Sequence, residues 1–142
     1  MAQKTYEEYS VGEKFVSYAR TMTEADLVNY TNLAGLKLPL FIDVEYCKKH
    51  SMFKERVFPG LLTASIAAGM LEDILGKYTL AALGLDKFKF KAPVKIGDTV
   101  RALARISSLD RDKRRAALDC FVSVGDKVVL EGEALVLVPS RA

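Results

Sequence analysis

The chain is poor in the side chains that ordinary catalysis draws on. Its 142 residues include one histidine, His50, and two cysteines, Cys47 and Cys120. One histidine and two separated thiols match none of the usual metal-ligand spacings, so no metal site is expected. Two thiols without an export signal fit a reducing cytoplasm better than a disulfide scaffold. The opening MAQKTYEEYS has no apolar core of the signal-peptide kind. The longest uncharged stretch, VFPGLLTASIAAGML at 57–71, is too short to cross a bilayer and is broken by Pro59-Gly60, so no membrane partner is expected. A Gly-x-Ser-x-Gly nucleophile motif is absent. Charge is nearly balanced at +3, which does not call for nucleic acid but suits an anionic small molecule. The basic run RDKRR at 111–115 lacks interleaved aromatics and is expected to be a solvated turn.

What the chain does have is hydrocarbon. Half of its residues are hydrophobic, enough for the core of one domain over 1–142. A first strand is expected at 12–18. Thr23 then caps a helix whose first turn carries Glu24 and Asp26, acids that suit the positive end of the helix dipole. Leu27, Tyr30 and Leu33 follow at helical spacing, and Gly35 stops it. Asp43 caps a second, short helix over 43–49. The strongest helix signal runs from Gly60 to Leu75 and ends at Gly76. Its apolar face is expected to hold Leu61, Leu62, Ser65, Ala68, Gly69 and Leu71, with Gly69 admitting a neighbouring backbone.

The second half alternates with period two. Phe88 and Phe90 oppose Lys87, Lys89 and Lys91, and Gly97-Asp98 turns the chain. Val100, Ala102, Ala104 and Ile106 share one face of the next strand. Leu118, Cys120, Val122 and Val124 share one face of the third. Val128, Leu130, Ala134 and Val136 do so on the last. The expected fold class is α+β, with the long helix across a curved antiparallel sheet. Ala117, Phe121, Val129, Leu135 and Leu137 fall on the outer face. Apolar area of that kind favours a cover, so a dimer is expected.

Five segments in order carry a resemblance: VGEKF, MTEADLVNYTNLAG, LPLFIDVEYCKK, RVFPGLLTASI and FKFKAPVKIGDTV. Together they resemble the MaoC-like (R)-specific enoyl-CoA hydratases and dehydratases. The resemblance implies a hot-dog fold, an acyl-CoA or related acyl thioester as ligand or substrate, no other cofactor, and a homodimer or a heteromer with a related hot-dog subunit. The family's Asn-Pro-x-His-x-Asp segment falls on LPLFID, and its Arg-x-x-His-Gly start of the central helix falls on RVFPG. The catalytic aspartate and histidine then fall on Leu36 and Phe41, the asparagine on Leu38, and the helix-start histidine on Pro59. Leucine and phenylalanine carry no exchangeable proton, so the acid–base contribution of that pair, about 10²–10⁴-fold, is lost.

The ionisable residues near this loop are Asp43, Glu45 and His50. Asp43 is expected to cap, Glu45 to be solvated, and His50 to sit at a helix end; catalytic use of each stays open. A ligand-binding surface is expected from Leu36, Leu38, Phe41, Arg56, Phe58, Gly60 and Leu61. The N–H groups heading the long helix suit a thioester carbonyl. Arg56, Lys87, Lys89 and Lys91 suit coenzyme A phosphates, or simply face solvent. Three functional readings follow. One is a hydratase-family protein without the standard pair that binds an acyl thioester. The others are a non-catalytic subunit of a heteromeric enoyl-CoA hydratase and an acyl-CoA thioesterase using Asp43 or Glu45. A binding protein unrelated to coenzyme A is a fourth.

Overall fold

In the computed structural model, residues 4–75 and 81–141 are described. Strand β1 (Lys14–Thr21) leads to helix α1 (Glu24–Ala34), the short α2 (Pro39–Ile42), α3 (Val44–His50) and the long α4 (Gly60–Leu75). Strands β2 (Ala81–Phe90), β3 (Thr99–Asp110), β4 (Arg115–Val124) and β5 (Lys127–Leu137) follow. The strands form one antiparallel sheet in the order β1-β3-β4-β5-β2. The sheet packs on α4, the hot-dog arrangement, and the expected α+β class stands.

Local chemistry sets the helix ends. Thr23 accepts from the Asp26 N–H, and the Asp26 carboxylate accepts from the Thr23 N–H, a reciprocal capping box. Gly35 adopts φ +68°, the left-handed conformation that closes a helix at no steric cost to glycine. The Asp43 side chain accepts from the Tyr46 N–H and caps α3. The expected stop at Gly76 lies outside the described residues.

Three expectations need correcting. The first strand starts at Lys14 and runs to Thr21, because residues 12–13 are spent on the turn. On β5 the alternation breaks: Ser123 pairs with Val128 and Val122 with Leu130, which leaves Val129 as an extra residue. This bulge buries both Val129 and Leu130 and turns Val128 outward, so Val129 belongs to the core and Val128 does not. On α4 the buried residues are Leu62, Thr63, Ala67, Met70 and Leu71, whereas Leu61, Ser65, Ala68 and Gly69 are exposed. No atom lies within 4 Å of where a Gly69 Cβ would be, so no backbone of this chain approaches it among the described residues. The sequence pattern missed this because α4 is apolar nearly all round, and an all-round pattern does not say which face is covered.

The core joins α4 to the inner sheet face through Met70, Val100, Ala102, Ala104, Val122 and Leu130. Two glycines fit phenyl rings from β2. A Cβ on Gly60 would stand 2.5 Å from the Phe90 ring, and one on Gly132 would stand 2.1 Å from the Phe88 ring. A bulge between Asp86 and Lys89, with Lys87 at φ +52°, carries β2 past this point. The two rings therefore lie close against glycine backbone, one at the head of α4 and one on β5.

Candidate functional site

The segment after α1 folds into the site wall. The Leu36 N–H donates to the Thr31 carbonyl at 2.9 Å, ending α1. Pro39 then starts the single turn of α2, where its fixed φ and missing N–H cost nothing. Cys47 is fully buried beneath it, its thiol directed at the Leu40 carbonyl at 3.5 Å. With α2 held there, Phe41 packs against the core. The strand-like segment before α4 is tied down by a Phe58 N–H bond to the Val94 carbonyl, 2.8 Å, and a Val57–Lys95 bridge.

Between these parts lies a cleft of about 500 Å³. Its walls are Leu40 and Phe41 from α2, Met52 and Phe53 from the loop after α3, Phe58 and Gly60 at the head of α4, and residues 90–94 and 129–130 of the sheet side. All the lining side chains are apolar except Thr63 and Lys91. Thr63 is 3% exposed and sits one turn into α4. Lys91 is an outer residue whose ammonium lies 3.4 Å from Glu131.

The expected binding residues divide. Phe41, Phe58 and Gly60 line the cleft. Leu36 is half-buried and Leu38 is 59% exposed, and neither lines it. Leu61 is 60% exposed on the outer side of α4. Arg56 is engaged elsewhere: its Nη2 lies 2.6 Å from both Glu24 carboxylate oxygens, tying the start of α1 to the approach to α4. The three ionisable residues also lie outside the cleft. Asp43 caps α3, Glu45 pairs with Lys48 at 3.1 Å, and His50 rests on the Tyr46 ring with centroids 5.2 Å apart, all on exposed positions. Of the β2 lysines, Lys87 pairs with Glu133 at 3.0 Å.

A second cavity, about 280 Å³, lies under the far half of α4 against β2, β4 and β5. Ala64, Ala67 and Ala68 make room for it, Phe88 stands on its β2 side, and Leu130 is shared with the cleft. Cys120 forms part of its wall, and burial, with the Asp119 charge adding to it, pushes that thiol up to about 11. Glu72 is its one carboxylate. Thr63 and Met52 escaped sequence reasoning altogether. The only signal for Thr63 is its position three residues after the helix-heading Gly60, which pattern alone does not separate from any polar helix residue.

Among the described residues no helix is long and apolar enough to cross a membrane, and no three His, Cys, Asp or Glu side chains cluster as metal ligands.

Comparison with known proteins follows this geometry. The chain matches the MaoC like domain over residues 7–129. It is 34% identical over 122 residues to a 3-hydroxybutyryl-CoA dehydratase of Methylorubrum extorquens, covering 86% of this chain and 76% of that one. It is 32% identical over 139 residues to an (R)-specific enoyl-CoA hydratase of Rhodospirillum rubrum, covering 96% and 92%. The solved (R)-hydratase from A. caviae involved in PHA biosynthesis superposes with TM-score 0.82 at 28% identity, over 94% of this chain and 99% of that one. A match spanning most of the chain, with relatives above 30% identity covered over three quarters or more of their length, places this protein in the MaoC-like hydratase and dehydratase family.

Proposed function

We propose that this chain binds an acyl thioester, with coenzyme A as the carrier, in the cleft at the head of α4, and that it does not hydrate or dehydrate it by the family's Asp/His pair. The observation that carries this reading is the cleft lining. Phe41, which stands where the family motif has its histidine, presents a ring to a wall that is hydrocarbon save for one hydroxyl and one ammonium. Burying each apolar side chain of such a wall against an acyl tail is worth about 1.5–3 kcal/mol, before the cost of ordering the ligand. A wall of that composition holds a tail and moves no proton.

The reading extends to assembly and compartment. Edge strand β2 exposes Leu83, Leu85 and Phe90, and the outer side of α4 exposes Leu61. An apolar edge strand left open invites pairing, so the chain works as a dimer with itself or with a related hot-dog subunit that supplies the chemistry. Two free thiols, Cys47 and Cys120, suit the cytoplasm. The thioesterase reading has less support, because Asp43 and Glu45 line neither cavity.

The test is direct. Purified protein is titrated with hexanoyl-CoA by calorimetry and assayed for hydration of crotonyl-CoA. Binding without turnover is expected. Turnover by the unaltered chain would overturn the non-catalytic half of the proposal, and absence of binding would overturn the other. The double substitution Leu36→Asp with Phe41→His is expected to gain at most trace hydration, because Leu38 and Pro59 still differ from the motif.

A further inference from the structure

We infer that the Thr63 hydroxyl is the hydrogen-bond donor that receives the carbonyl oxygen of the bound acyl group; the inference rests on the acyl-thioester reading above and assigns a residue to it. Helical hydroxyls usually bond back to the preceding turn. Thr31 does so, donating to the Leu27 carbonyl at 2.8 Å, and Ser65 does so, donating to the Leu61 carbonyl at 2.7 Å. Thr63 does not. The carbonyl four residues before it, that of Pro59, accepts instead from the Leu62 N–H at 3.0 Å and the Thr63 N–H at 3.3 Å. The Thr63 side chain makes no hydrogen bond among the described residues.

The Thr63 residue is 3% exposed, yet its unbonded hydroxyl oxygen is not fully buried, so a group held in the cleft that Thr63 lines can meet it. Its setting says what. Pro59 precedes α4 and has no side-chain acceptor, so the Gly60 and Leu61 N–H groups also have no partner among the described residues. Gly60 and Thr63 both line the cleft within one helical turn. N–H groups only donate, and a hydroxyl donates or accepts. The group that satisfies all of them is an acceptor without a proton, such as a carbonyl oxygen at the positive end of a helix dipole. The rest of the lining, being apolar, takes the carbon chain attached to it, and Lys91, paired with Glu131, is the one cation among the lining residues.

A matched pair of ligands tests this. Hexanoyl-CoA carries the carbonyl; S-hexyl-CoA has the same chain with a methylene in its place. Dissociation constants for both are measured by calorimetry on the full chain and on its Thr63 variants. The unaltered protein is expected to prefer the thioester. In Thr63→Val that preference falls by about three- to tenfold, the worth of one neutral hydrogen bond, while affinity for S-hexyl-CoA stays within about twofold. Thr63→Ser retains the preference. Thr63→Ala supplies the same comparison if the valine variant does not fold. A preference unchanged in the valine or alanine variant overturns the assignment of Thr63 and leaves the acyl-thioester reading intact. Failure of the unaltered protein to bind either ligand overturns both.

Discussion

The contact between Gly132 and the Phe88 ring carries a sharp stability prediction. A Cβ at Gly132 would lie 2.1 Å from Cδ1, 2.4 Å from Cε1 and 3.1 Å from Cγ of Phe88. Ordinary contact begins near 3.4 Å, so in Gly132→Ala the ring must move by more than 1 Å. It has somewhere to go, because Phe88 borders the 280 Å³ cavity under α4. That room holds the overpacking cost to about 1–3 kcal/mol rather than more. Gly132 is not among the glycines with positive φ, so alanine is tolerated by the backbone there. Stiffening the unfolded chain returns about 0.4–1 kcal/mol. The net expectation is a loss of about 1–2 kcal/mol, or a Tm lower by about 2–8 °C.

The decisive measurement is a double-mutant cycle with Phe88→Ala by urea unfolding at one fixed protein concentration, since any dimer makes stability concentration-dependent. With the ring gone, Gly132→Ala should be neutral or mildly stabilising, giving a coupling of about 1–3 kcal/mol. An equal cost in both backgrounds would refute the claim that the ring lies on the β5 backbone. The same substitution is expected to shrink the cavity, since the displaced ring enters it.

Acid behaviour is expected to reflect Glu7. A hydrogen bond from Ser140 is the largest cause holding its carboxyl down at about 2, below its usual 4.5. A depressed folded value means the contribution is complete above about 4.5 and is lost as pH falls toward 2; in an NMR titration Ser140→Ala should move the Glu7 midpoint upward, and an unmoved midpoint would contradict this. The cysteines are expected to be quiet. With Cys120 pushed up to about 11 by burial and Cys47 fully buried, iodoacetamide at pH 8 should leave the folded protein unlabelled over minutes and label both thiols once it is unfolded, as read by intact mass; rapid labelling of folded Cys120 would contradict the burial.

The sequence by itself determined the features that depend on near neighbours. Thr23 with Asp26, Gly35 and Asp43 mark helix ends because a cap is a bond between residues three apart, or one residue's φ. Alternation along 100–106 marks a strand face because side chains on a strand alternate. The five family segments, in their order, announced the hot-dog arrangement that the sheet and α4 display.

Only the tertiary structure decided the rest. Val129 entered the core because β5 must stay paired with β4 past an extra residue, and a bulge has no period to announce it. The outward side of α4 was settled by which face the sheet covers. Leu36 and Leu38 fell outside the cleft while Met52 and Thr63 fell inside it, because the cleft is drawn from segments about ninety residues apart along the chain. A cavity wall is a coincidence of distant surfaces, and residue spacing encodes distance only along the chain, not across it.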